Sequence, residues 1–239
     1  MIVTPIKTRI FIENENLESF IQEHIAAFQN NSIIVVTSKI VALSEGRTYD
    51  GNSEEEKERL ATQESDWIMR TKYVWLTLKG GMLMASAGID ASNANGKLIL
   101  LPKNSFDTAT RLRAHFLEHS SIANLGILIT DSRMLPLRAG ALAYAIGYAG
   151  FNGIRDNRGK SDIYGRILKL SQTDVADGLA SAAVITMGEG AEQIPLAIIT
   201  DPPVEWTDSP PDPKELSIPP EDDLYRPFFE NLPNKLSAK

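Results

Sequence analysis

The chain has 239 residues, 43% hydrophobic and 23% charged, with no cysteine and a formal net charge of −7. That length fills one large domain or two small ones. The lack of thiols excludes disulfides, iron–sulfur clusters and cysteine-based zinc sites, and the acidic balance argues against a nucleic-acid surface. No apolar run approaches the roughly 18–20 residues needed to cross a bilayer. Lys7 and Arg9 are followed by Glu13 and Glu15 rather than by a signal-peptide core, so a cytoplasmic protein without a membrane partner is expected.

In chain order, Leu17 to Phe28 predicts an amphipathic helix, with Leu17, Phe20, Ile21, Ile25 and Phe28 on one face. Ile33 to Thr37 is short, β-branched and bounded by Asn31-Ser32, which predicts a buried strand ending in a Ser38-Lys39 loop. Glu54 to Met69 has helical period, and Tyr73 to Leu78 with Met82 to Ser86 flank a Gly80-Gly81 hairpin turn. Ser105 to His119 predicts a helix with Ser105 as N-cap. The apolar run Leu125 to Ile129 predicts a buried strand with Asp131 where it ends. Ala139 to Gly153 is packed with small residues, Gln172 to Ala183 predicts a helix, and Pro195 to Thr200 a last strand. Nine of the 13 prolines fall from Pro202 onward, a density that excludes regular helix or sheet interior. Trp206, Leu224, Tyr225, Phe228 and Phe229 are too apolar for a solvated linker. Residues 201–239 are therefore expected to be a Pro-rich C-terminal arm packed on the body or on a second subunit.

Several constellations carry chemistry. Asp90 lies in a Gly-Ile-Asp-x-Ser-Asn turn with Asn93 three residues on; it either faces a ligand or caps an Asx turn. Asp131-Ser132 stands at a strand end, a common position for ligand-binding carboxylates, or serves as a cap. Glu189 follows a predicted helix within a Gly-flanked turn. Carboxylates brought together by folding suit a hard divalent cation and the phosphates it carries. Ser38-Lys39 could bind phosphate, but no P-loop and no Gly-x-Gly-x-x-Gly fingerprint exists. Arg138, Arg155, Arg158 and Arg166 suit an anionic substrate, or pair with Asp156 and Asp162. His115 to His119 reads His-x-x-Glu-His, a zinc-peptidase pattern, but Arg111 and Arg113 surround it with positive charge, so it is read as a solvated helix face.

Taken in order, these segments resemble the coenzyme F420-0:γ-glutamyl ligases and their CofE-like relatives. The resemblance covers nearly all of residues 2–200. It runs from Val36-Thr37-Ser38-Lys39-Ile40-Val41 with Glu45-Gly46-Arg47, through Ala87 to Asn93 and Leu100-Leu101-Pro102. It continues through Asp131-Ser132 with Pro136 and Arg138, Ala145 to Gly150, Arg158-Gly159, Asp162 and Gly165-Arg166. Val175-Ala176-Asp177 and Met187-Gly188 complete it.

The resemblance implies an α+β protein of mixed and antiparallel sheets with packed helices, a CofE-like fold over 1–200, either one body or two intertwined subdomains. It implies an NTP-dependent ligase, using GTP or ATP with two Mg2+ or Mn2+ ions, that joins L-glutamate to an acidic acceptor through an acyl phosphate. Position by position, it puts Asp90 and Asp131 at metal, with Ser132 and Glu189 near a second ion. Pro5, Ile6, Lys7, Thr8, Ser38, Lys39, Asn93, Met187 and Gly188 fall at the nucleotide, and Arg138, Arg158, Asp162 and Arg166 at the reacting substrates. A homodimer is implied too. Two segments depart from the family pattern. Leu43 stands where the family has a phosphate-binding lysine, and Arg133 to Leu137 replaces a segment containing Gly, Arg and Trp. Those changes keep open a related acceptor such as folate, or a noncatalytic relative that binds nucleotide or a pterin.

Overall fold

The computed structural model describes residues 1–229, and the side chains of Phe228 and Phe229 lie outside the described residues. In chain order the elements begin with β1 (Ile2–Ile6), α1 (Leu17–His24), β2 (Ser32–Thr37) and α2 (Ser38–Ser44). Then come β3 (Thr48–Asp50), α3 (Glu54–Glu64), β4 (Trp67–Arg70), β5 (Trp75–Lys79), β6 (Met82–Ala85) and β7 (Lys97–Ile99). The chain continues with α4 (Ser105–Glu118), β8 (Leu125–Met134), β9 (Ala141–Ala149), β10 (Ile154–Asp156) and β11 (Gln172–Asp174). It closes with α5 (Val175–Met187), β12 (Leu196–Thr200) and α6 (Arg226–Phe229). This is a mixed α+β architecture in two compact units, Met1–Arg47 with Pro102–Glu215, and Thr48–Leu101 with the described residues from Leu216 on.

The first unit is built on a five-stranded sheet of order β1-β12-β2-β8-β9. Only β2 and β8 pair in parallel; the other neighbours are antiparallel. Strand β2 is buried from Ser32 to Val36 and β8 from Leu125 to Thr130, as continuous β-branched and aliphatic runs demand of central strands. Ile34, Val36, Ile127 and Ile129 share one cluster with Leu17, Phe20 and Ile21 of α1 and Leu112 and Phe116 of α4. Each such side chain contributes about 1.5–3 kcal/mol on burial. The second unit holds the antiparallel sheets β3-β7 and β4-β5-β6, with Leu60, Ala61, Ile89, Leu98 and Leu100 in its core. Gly80 and Gly81 both have positive φ (56° and 81°), as the tight turn joining β5 and β6 requires.

Several boundaries differ from the sequence reading. Helix α1 stops at His24, because Ile25 turns extended (φ −116°, ψ 94°), while Ile25 and Phe28 still reach the core from a loop. The expected helix from Glu54 to Met69 ends at Glu64. Trp67 to Arg70 instead pairs with β5, Trp67 opposite Leu78, so sheet pairing overrides the helical period there. Ser53 and Glu56 form a capping box on α3. Asn104, not Ser105, caps α4, accepting from the Asp107 N–H at 3.2 Å. Gln172 to Asp174 is a strand, and α5 starts one residue later and runs on to Met187. Ser38-Lys39 opens helix α2 rather than a loop. Asp131 is not at a strand end: β8 runs to Met134 because β9 pairs with it from Ile127 through Met134.

The proline-rich segment after Thr200 is held on the first unit as far as Glu215. Phe151 bridges to Trp206, and the Asn152 and Thr207 N–H groups donate to the carbonyls of Glu205 and Gly150. Arg113 pairs with Asp208 at 2.6 Å. The Glu215 carboxylate accepts from the Gly153 and Ile154 N–H groups at 3.0 and 3.1 Å and from the Tyr148 hydroxyl. Beyond it, Leu224 and Tyr225 are exposed.

Gly147 in β9 lies so close to α4 that an added Cβ would stand 2.4 Å from the Ser105 carbonyl carbon. Gly147→Ala should lower stability by about 1–3 kcal/mol. Gly178→Ala, at a helical position with nothing within 4 Å, should raise it by about 0.5–1 kcal/mol. Urea midpoints of the two variants check the opposite signs.

Candidate functional site

The parallel pairing of β2 and β8 sets Thr37 opposite Thr130. The next residue in each chain is polar, and Ser38 Oγ donates to Asp131 Oδ1 at 2.8 Å. Consecutive strand residues project to opposite faces, and Ser132 bonds elsewhere: its Oγ donates to Glu189 Oε1 at 2.5 Å. Glu189 reaches that point because Gly188 ends α5 with a φ of 81°, a left-handed turn that glycine takes without strain. A cleft of about 250 Å3 lined by Ala143, Ser181, Gly188 and Glu189 opens there. Folding thus joins, across long separations, residues that the sequence reading gave separate roles, Ser38 with Asp131, and two that it placed together, Ser132 with Glu189.

Around them lies a charge network that the sequence did not reveal. Arg133, two residues beyond Asp131, donates through Nη2 to Asp177 Oδ2 at 2.6 Å, and its guanidinium lies 4.9 Å over the Tyr144 ring. The other Asp177 oxygen accepts the Ala145 N–H at 2.9 Å. Tyr144 stands opposite Asp131 in the ladder; burial, then the Asp131 charge, pushes its phenol well above the usual range. Asp174 caps α5 by accepting the Asp177 N–H at 2.9 Å. Although the residue is exposed overall, partial desolvation of its carboxyl, then the like charge of Asp177, raises its pKa from 3.8 to about 6.

Other candidates have mixed surroundings. Pro5 and Ile6 lie in edge strand β1, where proline needs no ladder donor. Lys7 is exposed, and Thr8 is buried with its N–H on the Gln193 carbonyl. Met187 is buried at the end of α5. Leu43, the departure from the family lysine, packs its side chain against the core. Arg158 is held by Asp156 at 2.6 Å on the surface. Arg155 donates to the Pro203 carbonyl. Asp162 closes a turn by accepting the Tyr164 and Arg166 N–H groups at 2.8 and 2.9 Å. In the second unit, Asp90 accepts the Ser92 N–H at 2.7 Å and the Ser92 hydroxyl at 2.6 Å. Asn93 follows with φ 51°. That is Asx-turn geometry, with the carboxylate preset by its neighbour. Among the described residues, no three His, Cys, Asp or Glu side chains converge as a ready-made cation cage.

The geometry thus comes to two hydroxyl–carboxylate pairs on a mixed sheet flanked by helices, one of them beside a small cleft. Sequence comparison is more specific. The sequence model of the F420-0:Gamma-glutamyl ligase family matches residues 5–201. A coenzyme F420:L-glutamate ligase of Methanococcus maripaludis is 38% identical over 148 residues, 62% of this chain and 58% of that protein. The protein of that name from another strain of the species is 31% identical over 216 residues, 83% and 86% of the two chains. That of Methanocaldococcus jannaschii is 29% identical over 232 residues, 90% and 91% of the two. The chain belongs to the F420-0:gamma-glutamyl ligase family.

Because the folded-state pKa of Asp174 is raised, its neutral form stabilises the fold. That stability is full below pH 3.8 and is lost as pH rises to about 6. Asparagine caps a helix as well as aspartate. Asp174→Asn should therefore melt higher than the parent at pH 7, with the gap closing as pH falls from 6 towards 4. Thermal melts across that range check it.

Proposed function

We propose that this chain joins the amine of L-glutamate to a carboxylate of an acidic acceptor, coenzyme F420-0 or a chemically related molecule. GTP or ATP supplies the phosphoryl group. The observation that carries this reading is the Ser38–Asp131 hydrogen bond. It joins a residue that the resemblance puts at the nucleotide to one that it puts at the metal, from positions 93 apart in sequence.

In the proposed reaction the acceptor carboxylate takes the terminal phosphoryl group, giving an acyl phosphate and the nucleoside diphosphate. The glutamate amine then attacks the acyl carbon, expels inorganic phosphate and gives up a proton. Bound Mg2+ or Mn2+ would spread the charge on the transferring group. Within the first unit the donors fit such hard cations, since Asp131, Ser132 and Glu189 offer only oxygen; Asp90, in the second unit, is put at metal by the resemblance and is likewise an oxygen donor. Ser38 orients the Asp131 carboxylate, as outer-shell hydrogen bonds do for metal-binding carboxylates. Lys39, adjacent to Ser38, places a cation for the nucleotide phosphates, and Lys7, Thr8 and Gly188 contribute further contacts; the resemblance assigns Asn93, in the second unit, to the nucleotide as well. Arg138 and Arg166, whose side chains make no hydrogen bond or ion pair among the described residues, are suited to an anionic acceptor or to glutamate.

Exposed Met134, Leu137, Leu142 and Ile185 support a homodimer, since apolar side chains gathered near one hairpin gain from a partner surface. A noncatalytic relative is the second reading. It is favoured by Leu43 turning into the core and by Arg133 being committed to Asp177, so neither stands as a replacement for the missing lysine. The protein incubated with nucleotide, Mg2+ or Mn2+, glutamate and a panel of F420-0 and folate acceptors should give one product heavier by a glutamyl residue. Asp131→Asn should reduce turnover by about a hundredfold or more, with the fold intact by circular dichroism. Unchanged turnover in that variant would remove Asp131 from the metal assignment.

A further inference from the structure

The His-x-x-Glu-His segment, unused by the proposed ligase, lies on the last turn of α4, facing the last turn of α1. His115 is in the last turn of α4 and His119, four residues on, is its C-cap residue (φ −101°, ψ 16°), close to the spacing at which two imidazoles can share a metal ion. Their rings stand 4.5 Å apart between centroids and 35° from parallel.

The hydrogen bonds assign their protons. His119 Nδ1 lies 2.7 Å from the His115 carbonyl oxygen. A carbonyl only accepts, so Nδ1 carries the proton, and Nε2 of the neutral ring keeps its lone pair. His115 Nε2 lies 3.3 Å from the amide nitrogen of Gln22 on α1. An amide NH2 only donates, so this imidazole nitrogen also presents a lone pair. With a metal ion on that lone pair, the Gln22 amide would have to turn over so that its oxygen rather than its NH2 meets the ion as a third ligand. The backbone carbonyl on His119 Nδ1 is the outer-shell partner that fixes the tautomer of metal-binding histidines.

The surroundings also favour a cation. Helices α1 and α4 both end here, and helix C-termini carry partial negative charge. Gln22 and His119 line a cleft of about 510 Å3 with Phe28 and Ser120, and the buried Ser120 hydroxyl has no hydrogen-bond partner. The nearby Arg111 is paired with Glu18.

We propose that His115, His119 and Gln22 form a binding site for an imidazole-preferring divalent transition metal, which fastens the end of α1 to the end of α4. Two imidazole nitrogens, one amide oxygen and water favour Cu2+ over Zn2+ in the usual order of affinities. The site is separate from the all-oxygen set around Asp131 and makes no demand on the ligase reading.

The chain has three histidines and no cysteine, so the test is clean. Cu2+ titrated into the full chain should give a saturable one-to-one complex whose electron paramagnetic resonance spectrum shows two imidazole nitrogens. His115→Ala and His119→Ala should each weaken binding about tenfold or more. His24→Ala and Asp131→Asn should leave the spectrum unchanged. In the unaltered protein, Cu2+ should broaden the amide resonances at the ends of α1 and α4 first, a readout that needs no variant to fold. A two-nitrogen spectrum persisting in the His115→Ala/His119→Ala double variant, broadening centred elsewhere, or no saturable binding would overturn the proposal.

Discussion

The pairing of β2 with β8 is the constraint on which the first unit depends. Both strands are apolar and buried on both faces, so neither can shift register without moving several aliphatic side chains into water. Their parallel alignment also brings two chain exits to the same edge of the core. One exit begins α2 with Ser38, and the other continues as an extended ribbon with Asp131. The hydrogen bond between those residues is a consequence of core packing. A site placed this way is as rigid as the sheet beneath it.

Helix α5 supplies a second fixed point. Its first turn carries Asp177, which ties Arg133 and the Ala145 amide, and its last turn ends at the glycine that aims Glu189 at Ser132. The two ends of a single helix thus clamp the β8–β9 ribbon at separate points. The ribbon extends beyond β2, whose pairing with β8 ends at Thr37 and Thr130, so the helix takes over as its support. This explains why so polar a strand segment stays paired.

Much of this was legible in the sequence, for local reasons. The buried run of β2, the glycine turn between β5 and β6 and the apolar face of α1 each carry their signal within a few residues. The Asp90 turn was legible in the same way, since the Ser92 that bonds it is two positions away. What escaped depended on distant partners. Trp67 to Arg70 reads as helix until β5 is there to pair with it, and β8 reads as ending at Ile129 until β9 is there to extend it. Arg133 and Asp177 are 44 positions apart, and nothing in either neighbourhood announces the other. The candidate residues around Asp131 were found through family resemblance; their spacing alone left caps and ligands equally open.

The tie at Glu215 bears on where this protein can be cut. Composition changes sharply after Thr200, which invites a domain boundary there. Yet Glu215 accepts two backbone N–H groups and a tyrosine hydroxyl from the first unit, and Trp206 and Asp208 are fixed on the way. A chain shortened at the apparent boundary would strand those donors and uncover Phe151, each stranded donor costing about 1–3 kcal/mol. The first unit therefore reaches some fifteen residues past the point where the composition changes.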